Sequence, residues 1–337
     1  MKDTDLLKCP DCRSSDVPCF KRYETINNGT RKLYRCGNCQ TIFSETRNTA
    51  MEGIKSPISR VAGALKLRSE GLGLRATGRV LQANKRTITE WEKRFADQKQ
   101  TLMLYAFCHE FVSLTFEGDE LYTIVGKRTV PMDSKGWTAV IMERASRFII
   151  DQRAGEKNAS LFKSVMAKVC DYCGQTNDFT FFSDGERRYG KILFELCCET
   201  LRTGKPGRPS KVLPPGVRVR IKNKGSQKHK KGPKRQKYQA PQKEHPETSQ
   251  DLKVSDIHAN HVEAQNAALR RRNSAYRRRT NTYAKTKEGL QRTLDVHQLI
   301  HNFVRPHWTT GVVPAVALGI MTHPLSLEEI LTRQKAA

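Results

Sequence analysis

The sequence of 337 residues lacks any run of about 18 apolar residues, the length that a membrane-spanning helix requires. Its first residues, MKDTDLLKCPDC, also lack the apolar core of a secretory signal. We therefore expect neither membrane insertion nor secretion, and we predict a cytoplasmic protein. In a reducing compartment its ten cysteines should be thiols or metal ligands rather than disulfides.

Acidic residues are scarce relative to basic ones. The 34 Asp and Glu face 60 Lys and Arg, which gives a formal net charge of +26. Such an excess attracts polyanions, of which nucleic acids and anionic membrane surfaces are the abundant ones. Residues 202–243 hold 15 basic side chains and no acidic one, so one short segment supplies more than half of the excess.

Residues 203–250, which we call the basic insertion, are rich in Pro and Gly and poor in large apolar residues. We predict that this segment is largely extended and buries no core, although VRVRI at 217–221 could pair as a strand. It is either a solvated linker or an arm that lies along a phosphate backbone. The tripeptide at 207–209, Gly-Arg-Pro, resembles an AT-hook, which inserts an arginine into a minor groove. The predicted DNA-binding residues of the segment are Lys205, Arg208 and Lys211.

Two Cys-x-x-Cys pairs lie near the amino terminus. The first is Cys9 with Cys12 and the second is Cys36 with Cys39, and 23 residues separate the two pairs. Four thiolates at this spacing can close a tetrahedron around Zn²⁺. Two short β-rich stretches between the pairs flank an Asn-Gly step, which is a hairpin turn signal. The pattern predicts a zinc ribbon in residues 1–50, and the alternative is four cysteines that are buried by chance.

Residues 56–95 divide into three helical stretches, separated by a glycine-containing break and by a turn at Asn84. This order predicts a helix-turn-helix domain in residues 51–100, with Ile88 and Trp91 facing inward. The alternative is a three-helix domain with a structural role only. The residues of the third helix predicted to contact DNA are Lys85, Arg86, Thr87 and Thr89.

From residue 111 onward the pattern changes to strands. Three β-rich runs are followed by a helical stretch, an apolar run and another helical stretch. This order of elements is found in ribonuclease-H-like domains, and it predicts such a catalytic domain in residues 101–202 and 251–310. The first strand carries Asp119 and the fourth strand ends on Asp184, so their carboxylates could meet across the sheet. Alternatively, both aspartates are turn residues.

A third acid is expected on a later helix. There Glu263, Asn266 and Arg270 are spaced so that they share one helix face. Glu263 could instead be a solvated helix residue. In that case another residue would act with Asp119 and Asp184, and the alternatives are Glu120, Asp256 and His261.

These features together resemble the DDE transposases of the bacterial insertion-sequence-one family. The resemblance is carried by the two amino-terminal domains and by the segments GDELYTIVGKR, FFSDGERRYG and HVEAQNAALRRR, in that order. It covers almost the whole chain. The sequence departs from the family pattern in the 78 residues between Asp184 and Glu263, because the basic insertion lies there.

The resemblance implies a multidomain α+β enzyme that hydrolyses a phosphodiester at each element end and joins the freed end to target DNA. It implies that Asp119, Asp184 and Glu263 hold two Mg²⁺ (or Mn²⁺) ions about 4 Å apart. The implied partner is double-stranded DNA, bound by a homodimer or larger oligomer in the bacterial nucleoid. Two alternatives remain: a DNA-binding regulator without catalysis, and a nuclease of the same fold that does not join strands.

An arginine-rich stretch follows the third predicted acid. Its predicted DNA-binding residues are Arg270, Arg271, Arg277 and Arg278. Tyr276 and Tyr283 are interleaved with the arginines, and we expect them to pack on sugars or bases. Residues 311–337 are predicted to form a carboxy-terminal tail.

Overall fold

The computed structural model describes residues 7–202, 204, 206–222, 238–239, 241–249, 252–278 and 280–335. The chain divides into two compact units. The first comprises the chain up to Met103 together with the segment that begins at Leu325, and the second is Leu104–Pro324. Both contain helices and strands, as the predicted α+β class requires. Within the described ranges, no helix combines the length and apolar character of a membrane span.

The first unit begins with a small antiparallel sheet. Its strands, in spatial order, are β1 (Cys19–Thr25), β2 (Gly29–Arg35) and β3 (Ile42–Ser44). The β1–β2 hairpin turns at the predicted Asn-Gly step, where Gly29 has a left-handed φ of 62°. Few apolar side chains are buried beside this sheet, so the sheet has little core of its own.

Three helices follow the sheet: α1 (Ile58–Ser69), α2 (Leu74–Leu81) and α3 (Lys85–Ala96). Ile88 and Trp91 are buried on the inner side of α3, as predicted. Arg68 of α1 donates a hydrogen bond to Glu92 of α3 at 2.5 Å, and both side chains are buried. The next helix, α4 (Lys99–Phe107), spans the division between the two units.

The second unit is built on one mixed sheet. Its strands are β4 (Leu114–Tyr122), β5 (Trp137–Glu143), β6 (Ile149–Gly155), β7 (Phe179–Asp184), β10 (Val217–Lys222) and β11 (Tyr238–Gln239). Their spatial order is β11-β10-β7-β4-β5-β6. The strands β4, β7 and β10 are parallel to one another, and β5 runs antiparallel to both of its neighbours. A separate hairpin pairs β8 (Glu199–Leu201) with β9 (Ser210–Val212).

Helices cover both faces of this sheet. The helices α5 (Ala159–Cys173) and α6 (Arg187–Cys197) pack on one face. The helices α7 (Asn260–Arg272) and α8 (Lys287–Phe303) pack on the other, over a core that includes Leu121, Val140 and Leu294. A short helix, α9 (Pro314–Ala317), follows α8. The predicted order of three strands, helix, strand and helix is therefore present.

Two expectations about segments need correction. The predicted carboxy-terminal tail contains α10 (Leu327–Thr332), which packs against α1 within the first unit. The basic insertion was expected to bury no core, yet β10 lies inside the sheet with Val219 and Ile221 almost fully buried. Its arginines can be buried because Arg218 pairs with Asp178 and Arg220 pairs with Glu244.

Candidate catalytic site and metal centre

The four cysteines of the two Cys-x-x-Cys pairs meet beside the β1–β3 sheet. All four Sγ atoms lie within 4.8 Å of one another. Each pair sits on a tight turn: the Arg13 N–H donates to the Cys9 carbonyl, and the Gln40 N–H donates to the Cys36 carbonyl. Both turns are closed by a residue with a left-handed φ, 65° at Arg13 and 63° at Gln40. The two turns have the same local geometry, and their four sulfur atoms converge on one point.

The chemistry of this cluster suits a soft divalent cation. Hydrogen bonds with Thr41 lower the pKa of the Cys39 thiol to about 6, which favours the thiolate form that a metal requires. The Cys39 N–H also points to the Cys36 Sγ at 3.4 Å. Cys19 is exposed and lies outside the cluster. The four cysteines could therefore bind Zn²⁺.

The helix pair α2 and α3 presents a basic surface. Gln82, in the left-handed region, ends α2, and the Asn84 side chain caps α3 by accepting from the Arg86 N–H at 2.9 Å. Of the residues predicted to contact DNA, Lys85, Arg86 and Thr87 are exposed and Thr89 is half-buried. A shallow depression beside them is lined by Lys85 and by six residues of α2 and the turn that follows it, including Arg75 and Arg79.

Asp119 and Asp184 lie side by side in the second unit. The strands β4 and β7 are parallel, and Gly118 is in register with Ser183, so the two aspartates follow at the same level. Residues in register on neighbouring strands point to the same face, which here is the face covered by α7. Burial is the main cause that raises the pKa of Asp119 to about 6, and the charges of Glu120 and Asp184 raise it further.

Helix α7 contacts Asp119 through the face that the sequence identified. Asn266 donates a hydrogen bond from Nδ2 to Asp119 Oδ2 at 2.8 Å. Burial and the charge of Arg278 lower the pKa of Arg270, one turn further on, and the charge of Asp119 acts in the opposite direction. Glu263 lies on the exposed side of the first turn of α7. Among the described residues, the three predicted acids do not form a group in which one carboxylate oxygen from each lies within 4.8 Å of the others.

The alternatives to Glu263 lie elsewhere. Glu120 points to the opposite face of the sheet, where it accepts a hydrogen bond from Lys157 at 2.8 Å. Asp256 is exposed before α7, and Ser255 donates to it at 3.2 Å. His261 is hydrogen-bonded to Glu117. None of the three therefore approaches Asp119 as Asn266 does.

Glu117 is a buried residue of this site that the sequence analysis did not find. Its side chain is 0% exposed, and it accepts four hydrogen bonds. Two come from the backbone N–H groups of His261 and Val262, both at 3.0 Å, at the start of α7. The other two come from Arg144 Nε at 2.6 Å and His261 Nδ1 at 2.7 Å. Glu117 thus fixes the amino end of α7 to β4, two residues from Asp119.

His258 joins Glu117 and His261 in a cluster whose ligand atoms lie within 4.8 Å of one another. We interpret this cluster as a helix clamp rather than a metal site. The four hydrogen bonds occupy both oxygens of Glu117, and the guanidinium of Arg144 adds a positive charge that would repel a cation. Arg144 also donates to the carbonyls of Asp256 and His258, which ties the approach to α7 to the same point.

Gly118, between Glu117 and Asp119, has no room for a side chain. A Cβ there would lie 2.7 Å from the ring of Phe181 and 3.3 Å from that of Tyr189. Tyr189 belongs to α6, on the far face of the sheet. The glycine therefore lets the aromatic core approach β4 closely behind the two carboxylates.

The remaining predicted DNA-binding residues are spread over two surfaces. Arg208 and Lys211 are exposed at the β8–β9 hairpin, whereas Lys205 lies outside the described residues. Arg271, Arg277 and Arg278 are exposed at and beyond the end of α7. The expectation that Tyr276 packs on DNA is wrong: it is buried, and its hydroxyl hydrogen-bonds Thr138 at 2.5 Å. Its ring belongs to the hydrophobic core beneath α7. The arginines on both sides of Tyr276 in the sequence gave no indication of this burial.

Comparisons with known proteins give no independent assignment. No protein-family model matches the chain, and no curated protein shows a significant match to it.

Proposed function

We propose that this protein is a DNA transposase that hydrolyses phosphodiesters at the ends of an insertion element and joins them to target DNA. The observation that carries the proposal is the placement of Asp119 and Asp184 at one level on adjacent parallel strands, beneath the Asn266 face of α7. The sheet order β6-β5-β4-β7-β10, with only β5 antiparallel, supports a ribonuclease-H-like domain.

The donor set fits Mg²⁺ or Mn²⁺. Carboxylate oxygens are the ligands these hard cations prefer, and Asp119 is a half-buried carboxyl whose ionisation is opposed by its burial and by the charges of Glu120 and Asp184. A cation between the two aspartates would relieve that opposition. When bound, such ions polarise the phosphodiester and stabilise the leaving oxygen. We assign Asp119 and Asp184 as ligands, with Glu263 as the third acid, and Asn266 as the group that orients Asp119.

The other parts of the chain fit a DNA-binding role. We propose that the four-cysteine cluster holds Zn²⁺ as a structural ion in a zinc ribbon, and that α1–α3 form a helix-turn-helix. Lys85, Arg86, Thr87 and Thr89 would contact the element end. Arg208 and Lys211, with the arginines at the end of α7, would neutralise phosphates. Double-stranded DNA is then the partner, and action on two ends implies a dimer or larger assembly.

The test is metal-dependent chemistry on DNA. Linear DNA that carries both ends of the candidate element is incubated with the protein and Mg²⁺, and cleaved and joined strands are resolved by electrophoresis. We expect both products from the wild type and a loss of at least about 100-fold in Asp119→Asn and Asp184→Asn. The control is Asp171→Asn, an exposed acid of α5.

Each other outcome points elsewhere. Cleavage without joining would indicate a nuclease of the same fold. DNA binding with no Mg²⁺-dependent product, or full activity in both aspartate variants, would remove the transposase assignment and leave a DNA-binding regulator.

A further inference from the structure

A lysine shares the row of the two aspartates. The strand β10 lies parallel to β7 on the side away from β4, and Lys222 is in register with Asp184. Since Asp119 and Asp184 are level across β4 and β7, one row across three parallel strands reads Asp119, Asp184, Lys222. All three residues are at the carboxyl end of the sheet, where ligands bind in open α/β sheets.

The alternation of β10 places Lys222 on the α7 face. Val219 packs toward Gly190 of α6, so it and Ile221 belong to the opposite face. Arg220 and Lys222 therefore share the face that carries α7. The electrostatics agree: the pKa of His258, just before α7, is lowered by burial, by Arg144 and, among smaller causes, by the charge of Lys222.

Lys222 differs from the other two cations of its strand. Arg218 pairs with Asp178, and Arg220 pairs with Glu244 through both terminal nitrogens. Lys222, which is half-buried, forms no ion pair with a carboxylate among the described residues. Two of the cations of β10 thus serve the fold, and the third leaves its charge available beside the carboxylates.

We infer that Lys222 binds the phosphodiester that Asp119 and Asp184 act on, an inference that rests on the proposed function. Two adjacent carboxylates repel a phosphate, and an ammonium in the same row offsets that repulsion at the point where DNA must approach most closely. This role requires one positive charge within reach of a phosphate oxygen, which an arginine at the same position could also supply. The basic insertion therefore contributes a substrate contact as well as a strand.

The first experiment measures binding without turnover. DNA affinity is determined in Ca²⁺ at several salt concentrations for the wild type, Lys222→Gln and Lys222→Arg. Loss of one phosphate contact should reduce the slope of log K against log salt by about 0.9 in Lys222→Gln, and Lys222→Arg should keep the wild-type slope. The control Lys163→Gln, at an exposed position of α5, should leave the slope unchanged.

The second experiment measures cleavage in Mg²⁺. We expect KM for DNA to rise about tenfold in Lys222→Gln, with a smaller change in kcat, and Lys222→Arg to recover most of the loss. Unchanged slope and KM in Lys222→Gln, or an equal loss in Lys222→Arg, would overturn the inference while leaving the proposed function intact if the wild type is active. A wild type without Mg²⁺-dependent products would instead remove the proposed function, and the slopes in Ca²⁺ would still decide whether Lys222 contacts phosphate.

Discussion

The ionised form of Asp119 destabilises the folded protein. Burial is the largest cause of its raised pKa, and the charges of Glu120 and Asp184 act in the same direction. A group whose folded-state pKa is raised stabilises the fold below its unfolded pKa and loses that contribution as pH rises through the folded value. The destabilisation of the fold by ionised Asp119 is therefore small near pH 4 and nearly complete above about pH 6. Carboxyl groups whose ionisation is opposed in this way are concentrated at functional sites.

Replacing Asp119 with Asn should consequently stabilise the protein while removing its proposed activity. A rise of the pKa from 3.8 to about 6 corresponds to about 1–3 kcal/mol at neutral pH. We expect Asp119→Asn to raise the Tm of the second unit by about 2–8 °C at pH 7.5 without added divalent metal. The measurement is thermal unfolding at pH 7.5 and at pH 4, where the two proteins should differ little. A lower Tm for Asp119→Asn at pH 7.5 would contradict this account.

Glu117 should behave in the opposite way. Glu117→Gln keeps the size of the side chain but removes the charge that Arg144 and His261 bind, and it leaves the Arg144 guanidinium partly unpaired. Breaking a buried pair on one side costs about 3–5 kcal/mol, so the midpoint of chemical denaturation should fall clearly. The exposed Glu156 provides the control, because Glu156→Gln should change the free energy of unfolding by less than about 0.5 kcal/mol and so leave the midpoint almost unchanged. Equal midpoints for the two variants would show that Glu117 does not clamp α7.

The two residues also show what a sequence can reveal at this scale. Asp119 was predicted because an acid at the end of an apolar strand has few structural uses. Glu117 shares its face of the strand, since it lies two positions earlier, but the partners that give it a role are distant in the chain. Arg144 is 27 residues away and His261 is 144 residues away, so only the fold brings them together.

At the scale of elements, amino-acid composition was a poor guide to burial where a strand is buried through ion pairs with other segments. The strands β4, β5 and β6 were predicted correctly because their apolar residues alternate or run continuously. The strand β10 reads as a charged segment between Pro and Gly, and its burial depends on carboxylates outside it, Asp178 and Glu244. The sequence indicated that VRVRI at 217–221 could pair as a strand, but it did not predict that Arg218 and Arg220 would be buried. The alternation of Val217, Val219 and Ile221 was the available signal.

We expect the β1–β3 sheet to depend on the Zn²⁺ that we propose for the four cysteines. Its buried cluster contains Cys9, Cys36 and Phe43 with few other apolar side chains, so we expect metal binding to contribute to its folding. We expect about one Zn²⁺ per chain in the wild type, measured by mass spectrometry after dialysis, and a large loss in Cys39→Ala. Hydrogen exchange of β1 and β2 should accelerate in that variant, while α1–α3 change less.

Cys19 supplies the matched control for this test. It lies in β1 but is exposed and outside the cluster, so Cys19→Ala should keep both the zinc and the slow exchange. A Cys39→Ala protein that retains zinc, or that loses zinc with no change in exchange, would mean that the metal does not hold the sheet together.

At the scale of the whole molecule, the net charge of +26 serves more than one purpose. Within the basic insertion, Arg218 and Arg220 are buried in ion pairs and contribute to the fold. Other cations remain on the surface at and beside β8 and β9. We call four of these the hairpin cations: Arg202, which directly precedes the insertion, and Arg208, Lys211 and Lys243 within it. Removing the whole insertion would also remove β10, so a deletion cannot separate DNA binding from folding.

Substitution of exposed cations can separate an effect on DNA binding from an effect on folding. We expect replacement of all four hairpin cations by Gln to reduce the slope of log K for DNA against log salt by about 3–4, since each neutralised phosphate contributes about 0.9. The Tm should change little, because these side chains are exposed and the strand β10 is retained. Binding is measured by fluorescence anisotropy between 50 and about 300 mM salt, with Lys163→Gln as the control for a cation elsewhere on the surface. A slope that falls no more per charge than in the control would show that this part of the insertion is a solvated connection, and that the excess charge acts on DNA through other surfaces.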